Sequence, residues 1–161
     1  MEVISSFQVN HIKLLRGFYE SRIDGDIITY DLRMKEPNRE KVMSTGSCHT
    51  IEHIGATYLR NTDIAKDVIY FGPMGCRTGF YMIMRNIDKT KAIEVVKDMM
   101  KFVISFEGEI PGAQPDQCGN YSDMDLIGAK KDVQEYLDTL LNATSLNVNY
   151  PEIKSWKVYF I

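Results

Sequence analysis

Residues 26–34 read DIITYDLRM, and the alternation in this run constrains the fold more than any other stretch of the chain. Ile28, Tyr30, Leu32 and Met34 fall on one side of an extended backbone, and Thr29, Asp31 and Arg33 fall on the other. A period of two with one apolar side is the signature of a half-buried strand. Glu36-Pro37-Asn38 then breaks the run. Two shorter apolar runs follow, residues 68–71 ahead of Gly72-Pro73 and residues 80–85 after a glycine-rich loop. Helical spacing takes over elsewhere. Residues 47–61 carry Ile51, Ile54, Tyr58 and Leu59, and residues 88–104 carry Ile93, Val96, Met100 and Val103. Ser122 and Asp125 form a Ser-x-x-Asp capping signal ahead of Val133, Tyr136, Leu137, Leu140 and Leu141. Strands and helices mix without a regular βαβ rhythm, so the expected class is α+β, an antiparallel sheet packed with helices. Trp156, Val158 and Phe160 alternate in residues 154–161 and predict a last strand.

The 161 residues suit one domain spanning 1–161. An apolar fraction of 44% and a charged fraction of 25% exclude disordered and collagen-like chains. A net charge of −3 gives no basic excess for a polyphosphate, so no nucleic-acid partner is expected. No apolar run approaches the ~18 residues that span a bilayer, so no membrane partner is expected. The polar start MEVISSFQVNHIK does not read as a secretory signal, and the expected location is the cytoplasm. There, Cys48, Cys76 and Cys118 are an odd set of free thiols rather than a disulfide framework.

The sharpest chemical signal is His49-Thr50-Ile51-Glu52-His53. On a helix, His49 and His53 lie one turn apart on one face and can grip one metal ion. Glu52 points close to the same place, where a carboxylate can move protons. Only three histidines exist in the chain, and two fall in this pattern, which favours a metal over two solvated rings. The order H-x-x-E-H also occurs in inverted zinc peptidases, where a distant carboxylate completes the ligand set. A catalytic metal usually takes three protein ligands and keeps one position open, whereas a structural one is closed by four. Cys76 and Cys118 lie in loops with glycine alongside, which lets the backbone approach a ligand closely. Arg77 beside Cys76 favours a thiolate. Cys48 faces away from the histidine pair and reads as packing. Spacing alone does not say which cysteine binds metal and which reacts. A small zinc peptidase and a structural metal domain closed by Cys76 both remain open on these grounds.

The segments NHIK, YDLRMKEPN, HTIEHIGATYLRN, GPMGCRTGFY and QCGNY followed by a helix occur in one order over about residues 4–144. In this the chain resembles the S-ribosylhomocysteine lyase (LuxS) family. The resemblance implies a two-layer α+β sandwich and a homodimer with its sites at the subunit interface. It implies His49, His53 and Cys118 as metal ligands, Cys76 and Glu52 as acid/base residues, and Ser6, His11 and Arg33 as substrate contacts. The implied cofactor is one iron(II) per subunit, with zinc or cobalt able to substitute. The implied reaction cleaves S-ribosylhomocysteine to homocysteine and 4,5-dihydroxy-2,3-pentanedione, the precursor of autoinducer-2, through two carbonyl migrations and a β-elimination. Asn10, Lys35, Cys48 and Met124 depart from the family's usual residues. Residues 145–161 lie outside the resemblance and carry no assignment.

Overall fold

The alternating run forms the middle of the sheet in the computed structural model of the chain, which describes residues 5–142 and 146–151. Four strands, β1 Gly17–Asp24, β2 Ile27–Arg33, β3 Val68–Pro73 and β4 Gly79–Arg85, make one antiparallel sheet in the order β1-β2-β4-β3. Register sets Phe18 against Leu32, Leu32 against Phe80, and Tyr30 against Met82. These side chains form one fully buried face. Burial of each contributes about 1.5–3 kcal/mol, which pins the register because a one-residue slip would expose them all.

Three helices, α1 Thr45–Arg60, α2 Lys89–Ser105 and α3 Leu126–Leu141, cover that face. Each opens on a side-chain cap. Ser44 accepts from Ser47 N, Asp88 from Lys91 N, and Asp125 from Gly128 N. The caps refine the sequence reading at two places. Ser44 starts α1 ahead of residue 47, and Asp125 itself caps α3, with Ser122 in the turn before it. Strand β1 was not anticipated. Its pairing shifts between Glu20 and Arg22, and this bulge breaks the alternation that would have marked it. The strand expected over 154–161 lies outside the described residues.

The second face of the sheet carries Tyr19, Asp31, Arg33 and Tyr81. Chain from both ends meets there. Asn10 N donates to Pro151 O and Phe18 N to Asn147 O. Tyr150 stacks on Tyr19 with ring centres 4.7 Å apart and donates to Asp31 Oδ2 at 2.7 Å.

Candidate metal centre

Helix α1 delivers His49 and His53 as a pair with ring centres 4.6 Å apart. Each ring is aimed by a backbone carbonyl. His49 Nδ1 meets Asp123 O at 3.0 Å, and His53 Nδ1 meets Pro111 O at 2.7 Å. A carbonyl can only accept, so each Nδ1 carries the hydrogen and each Nε2 presents a lone pair. The third donor arrives from the loop after α2. Cys118 Sγ lies 3.3 Å from His49 Nε2, and one donor atom from each of His49, His53 and Cys118 lies within 4.8 Å of the others. A tetrahedral ion with bonds of about 2.0–2.3 Å needs donors roughly 3.3–3.8 Å apart. The Cys118–His49 pair already stands at that separation, and the His53 donor would complete the set by moving closer by no more than about 1 Å.

The surrounding backbone keeps these donors in place. Asp125 N donates to Thr50 Oγ1 at 2.9 Å, fastening the segment that holds His49 to the next residue of α1. Gly112, at φ 72°, passes so near His53 that an added Cβ would sit 3.2 Å from Nδ1. Among the described residues the group stops at three. That leaves out the fourth ligand of a closed structural site, and Cys76 does not join. The third donor is a thiol rather than the carboxylate of an inverted zinc peptidase. Glu52 lines a groove with His53, Thr57, Phe71 and Pro111.

A second cluster forms on the sheet. Cys76 is exposed in the β3–β4 loop, its Sγ 3.0 Å from Thr78 Oγ1. Arg33 Nη1 donates to Thr78 Oγ1 at 2.6 Å, and Arg33 Nη2 donates to Asp31 Oδ2 at 2.5 Å. Arg33 and Asp31 are nearly inaccessible, yet Arg33 Nε and Asp31 Oδ1 have no partner among the described residues. Both residues line a cavity with His11, Thr29, Tyr81 and Tyr150. Burial, and then the nearby Asp31 charge, push the Tyr150 phenol well above its ordinary range, so it stays a donor. Burial lifts the Cys48 thiol to about 11, as suits a packing residue.

The structure thus gathers the three ligand candidates in one group, with Glu52 on the same helix, and sets Arg33 and His11 on one cavity. Ser6 lies on the single-turn helix Ser5–Gln8. Sequence reasoning missed Asp31, Thr78 and Tyr150. Asp31 was visible only as a polar-face residue, and the contacts of the other two cross between segments far apart in sequence.

The S-Ribosylhomocysteinase (LuxS) family model matches residues 4–147. An S-ribosylhomocysteine lyase of Finegoldia magna is 49% identical over 157 residues, covering 94% of this chain and 100% of the relative. One of Clostridium beijerinckii is 50% identical over 94% of this chain and 99% of its own. One of Borreliella afzelii is 43% identical over 94% and 100%. On this match, which contains both the histidine–cysteine group and the Cys76 cluster, the chain belongs to the S-ribosylhomocysteinase (LuxS) family.

Proposed function

We propose that this protein is a carbon–sulfur lyase that cleaves S-ribosylhomocysteine to homocysteine and 4,5-dihydroxy-2,3-pentanedione, the precursor of autoinducer-2. The observation that carries the reading is a group of three donors, with Glu52 and His53 lining one groove beside it, in a chain of this family. His49, His53 and Cys118 would hold the metal, which we assign as iron(II), with zinc or cobalt able to substitute. A thiolate donor suits these ions and disfavours magnesium. When bound, the metal supplies Lewis acidity toward the sugar oxygens.

The thioether carbon C5 of the substrate is not next to a carbonyl. The carbonyl function therefore has to move from C1 to C2 to C3 before the C4 proton becomes acidic enough for elimination of the thiol. Each move takes a proton from one carbon and returns one to its neighbour. Cys76 and Glu52 are the two proton carriers in this reading, each acting as base in one step and acid in the next. Ser6, His11 and Arg33 are the substrate contacts in this reading, and Arg33 and His11 line one cavity. The active unit is a homodimer with its sites at the subunit interface, located in the cytoplasm, with neither nucleic acid nor membrane as partner.

The test is release of homocysteine thiol from S-ribosylhomocysteine by the purified, metal-loaded protein under anaerobic conditions. Absence of thiol release would overturn the reading. Cys76→Ala and Glu52→Gln should each keep the metal and lose activity by about 10²–10⁴-fold, the usual contribution of a general acid or base. Cys118→Ala should lose the metal itself, and full metal content in that variant would remove Cys118 from the ligand set. Light scattering should give twice the mass of the chain, and a fully active monomer would contradict the shared site.

A further inference from the structure

Thr78 is 3% exposed and stands between a buried guanidinium and an exposed thiol, although nothing in the sequence marked it. Its hydrogen-bond directions can be read from chemistry alone. Arginine has only donors, so Thr78 Oγ1 accepts from Arg33 Nη1. The hydroxyl has one hydrogen of its own, and Cys76 Sγ lies 3.0 Å away. With a thiolate at Cys76, the one hydrogen of the Thr78 hydroxyl meets an acceptor while Oγ1 keeps its bond from Arg33. With a thiol donating to Thr78, the threonine hydrogen would need a further acceptor.

The far end of the chain is fixed. Arg33 Nη2 is held by Asp31 Oδ2, which also accepts from Tyr150. The loop is fixed too. Met34 N and Lys35 N both donate to Thr78 O, and Met74 N donates to Gly79 O across the loop's base. Thr78 therefore does not choose its own position. It is clamped at the end of β2 with its hydroxyl aimed at the sulfur.

We propose that Thr78 is a positioning residue for Cys76, accepting from Arg33 and donating to the sulfur so that the thiolate is favoured and held in one rotamer. The inference rests on the reading of Cys76 as a proton carrier, but its test does not. Among the described residues, the titratable and charged groups near the sulfur include Arg33 on β2, which is paired with Asp31, Tyr81 on β4, Arg77 next in the loop, and Cys48 on α1. Of these, Arg33 is the one that reaches Cys76 through Thr78 by direct hydrogen bonds.

The experiment follows alkylation of Cys76 by iodoacetamide against pH in the metal-loaded protein, read by mass spectrometry of the peptide that contains it. Thr78→Val removes the donor while keeping the shape. Its alkylation at neutral pH should slow about tenfold and its profile should move to higher pH, the lower end of what a hydrogen bond to a charged group supplies. Thr78→Ser keeps the hydroxyl and should restore the parent profile. Metal content and circular dichroism should match the parent in both. If Thr78→Val does not fold, Thr78→Ala carries the same comparison. In turnover assays kcat should fall with KM little changed. A parent-like alkylation profile in the variant without a hydroxyl overturns the proposal, as does a profile in Thr78→Ser that moves as far as in Thr78→Val. An altered alkylation profile in a protein that releases no thiol from S-ribosylhomocysteine would leave Thr78 in its role and remove the lyase reading instead.

Discussion

The two histidines of the candidate metal group are aimed by backbone rather than by charged side chains. His49 and His53 each give Nδ1–H to a carbonyl, of Asp123 and Pro111. With a metal held by His49 and His53, as proposed, its affinity would depend on two loops staying where they are. Gly112 follows Pro111 at φ 72°, a conformation that costs a side-chain-bearing residue about 1–2 kcal/mol. A Cβ there would also press on the His53 ring at 3.2 Å. Gly112→Ala should thus weaken metal binding by about 10–100-fold, the range for lost outer partners of a ligand, in a chelator competition assay. Thr50 acts on the other loop. Thr50→Val would remove the acceptor for Asp125 N, costing about 1–3 kcal/mol of folding stability in urea unfolding and loosening His49. A variant that loses the stability but keeps the parent's metal affinity would show that the Asp123 carbonyl does not need this anchor.

Elements with strict periodicity could be read before the structure was known, and those whose pattern depends on a partner could not. α2 follows its helical spacing because it buries one face, and β2 follows its alternation because Tyr30 and Leu32 go under the helices. That Asp31 and Arg33 on the other side of β2 are buried as well was not legible in the alternation, because chain from outside the sheet covers them. β1 hides because its bulge switches which residues face the core. The same division runs through the site. His49, Glu52 and His53 lie within one turn of α1 and could be grouped from spacing. Cys118, 69 residues from His49, could be assigned only through resemblance, because a loop's path is not written in its own periodicity. Thr78 and Tyr150 needed the strands and chain ends to be brought together. The packing of α1 on the sheet is equally invisible in sequence. It rests on Gly55, where an added Cβ would lie 2.6 Å from Phe71 Cε1 and 3.1 Å from Met99 Sδ. Phe71 is itself stacked on Phe80 with ring centres 5.0 Å apart, so it has little room to turn away. Gly55→Ala should gain about 1 kcal/mol of helix propensity and lose about 1–3 to overpacking. Net loss of stability in urea unfolding is the expected result, and a more stable variant would show that the interface can relax.

Across the whole molecule, Lys35 ties together segments distant in sequence. Its side chain is only 6% exposed, and its Nζ meets Asp132 Oδ1 at 2.8 Å and Glu135 Oε2 at 2.7 Å, both on α3. Asp132 also accepts from Ser47 in the first turn of α1, and Glu135 meets Arg16, which pairs with Glu40. The hub therefore joins the chain after β2, the start of α1, the middle of α3 and the segment before β1. Lys35→Met would leave Asp132 without its cation and Glu135 with Arg16 alone. Breaking a buried pair costs about 3–5 kcal/mol, and the partial exposure of Glu135 places this variant toward the lower end. The pH dependence follows from the direction of each shift. The Lys35 hydrogen bond holds the Glu135 carboxyl below its ordinary 4.5, with burial opposing. Burial pushes the Glu40 carboxyl up, but hydrogen bonds from Arg16 and Glu36 N outweigh it and hold the group below 4.5. A depressed carboxyl contributes stability that is present above its unfolded value and lost as the pH falls through its folded one. Burial pushes the Lys35 ammonium down, but hydrogen bonds to Asp132 and Glu135 raise it above 10.5. Its contribution is full below that value and is lost only in strong alkali. The hub is thus strongest between about pH 4.5 and 10.5 and fails on the acid side first. Glu135→Gln cannot lose a proton, so its stability should lie below the parent's at pH 7. The two urea midpoints should converge as the pH drops below 4.5, where the parent's Glu135 protonates. A gap that stays constant from pH 7 to 3 would mean that the variant's loss comes from packing and not from the charge on Glu135.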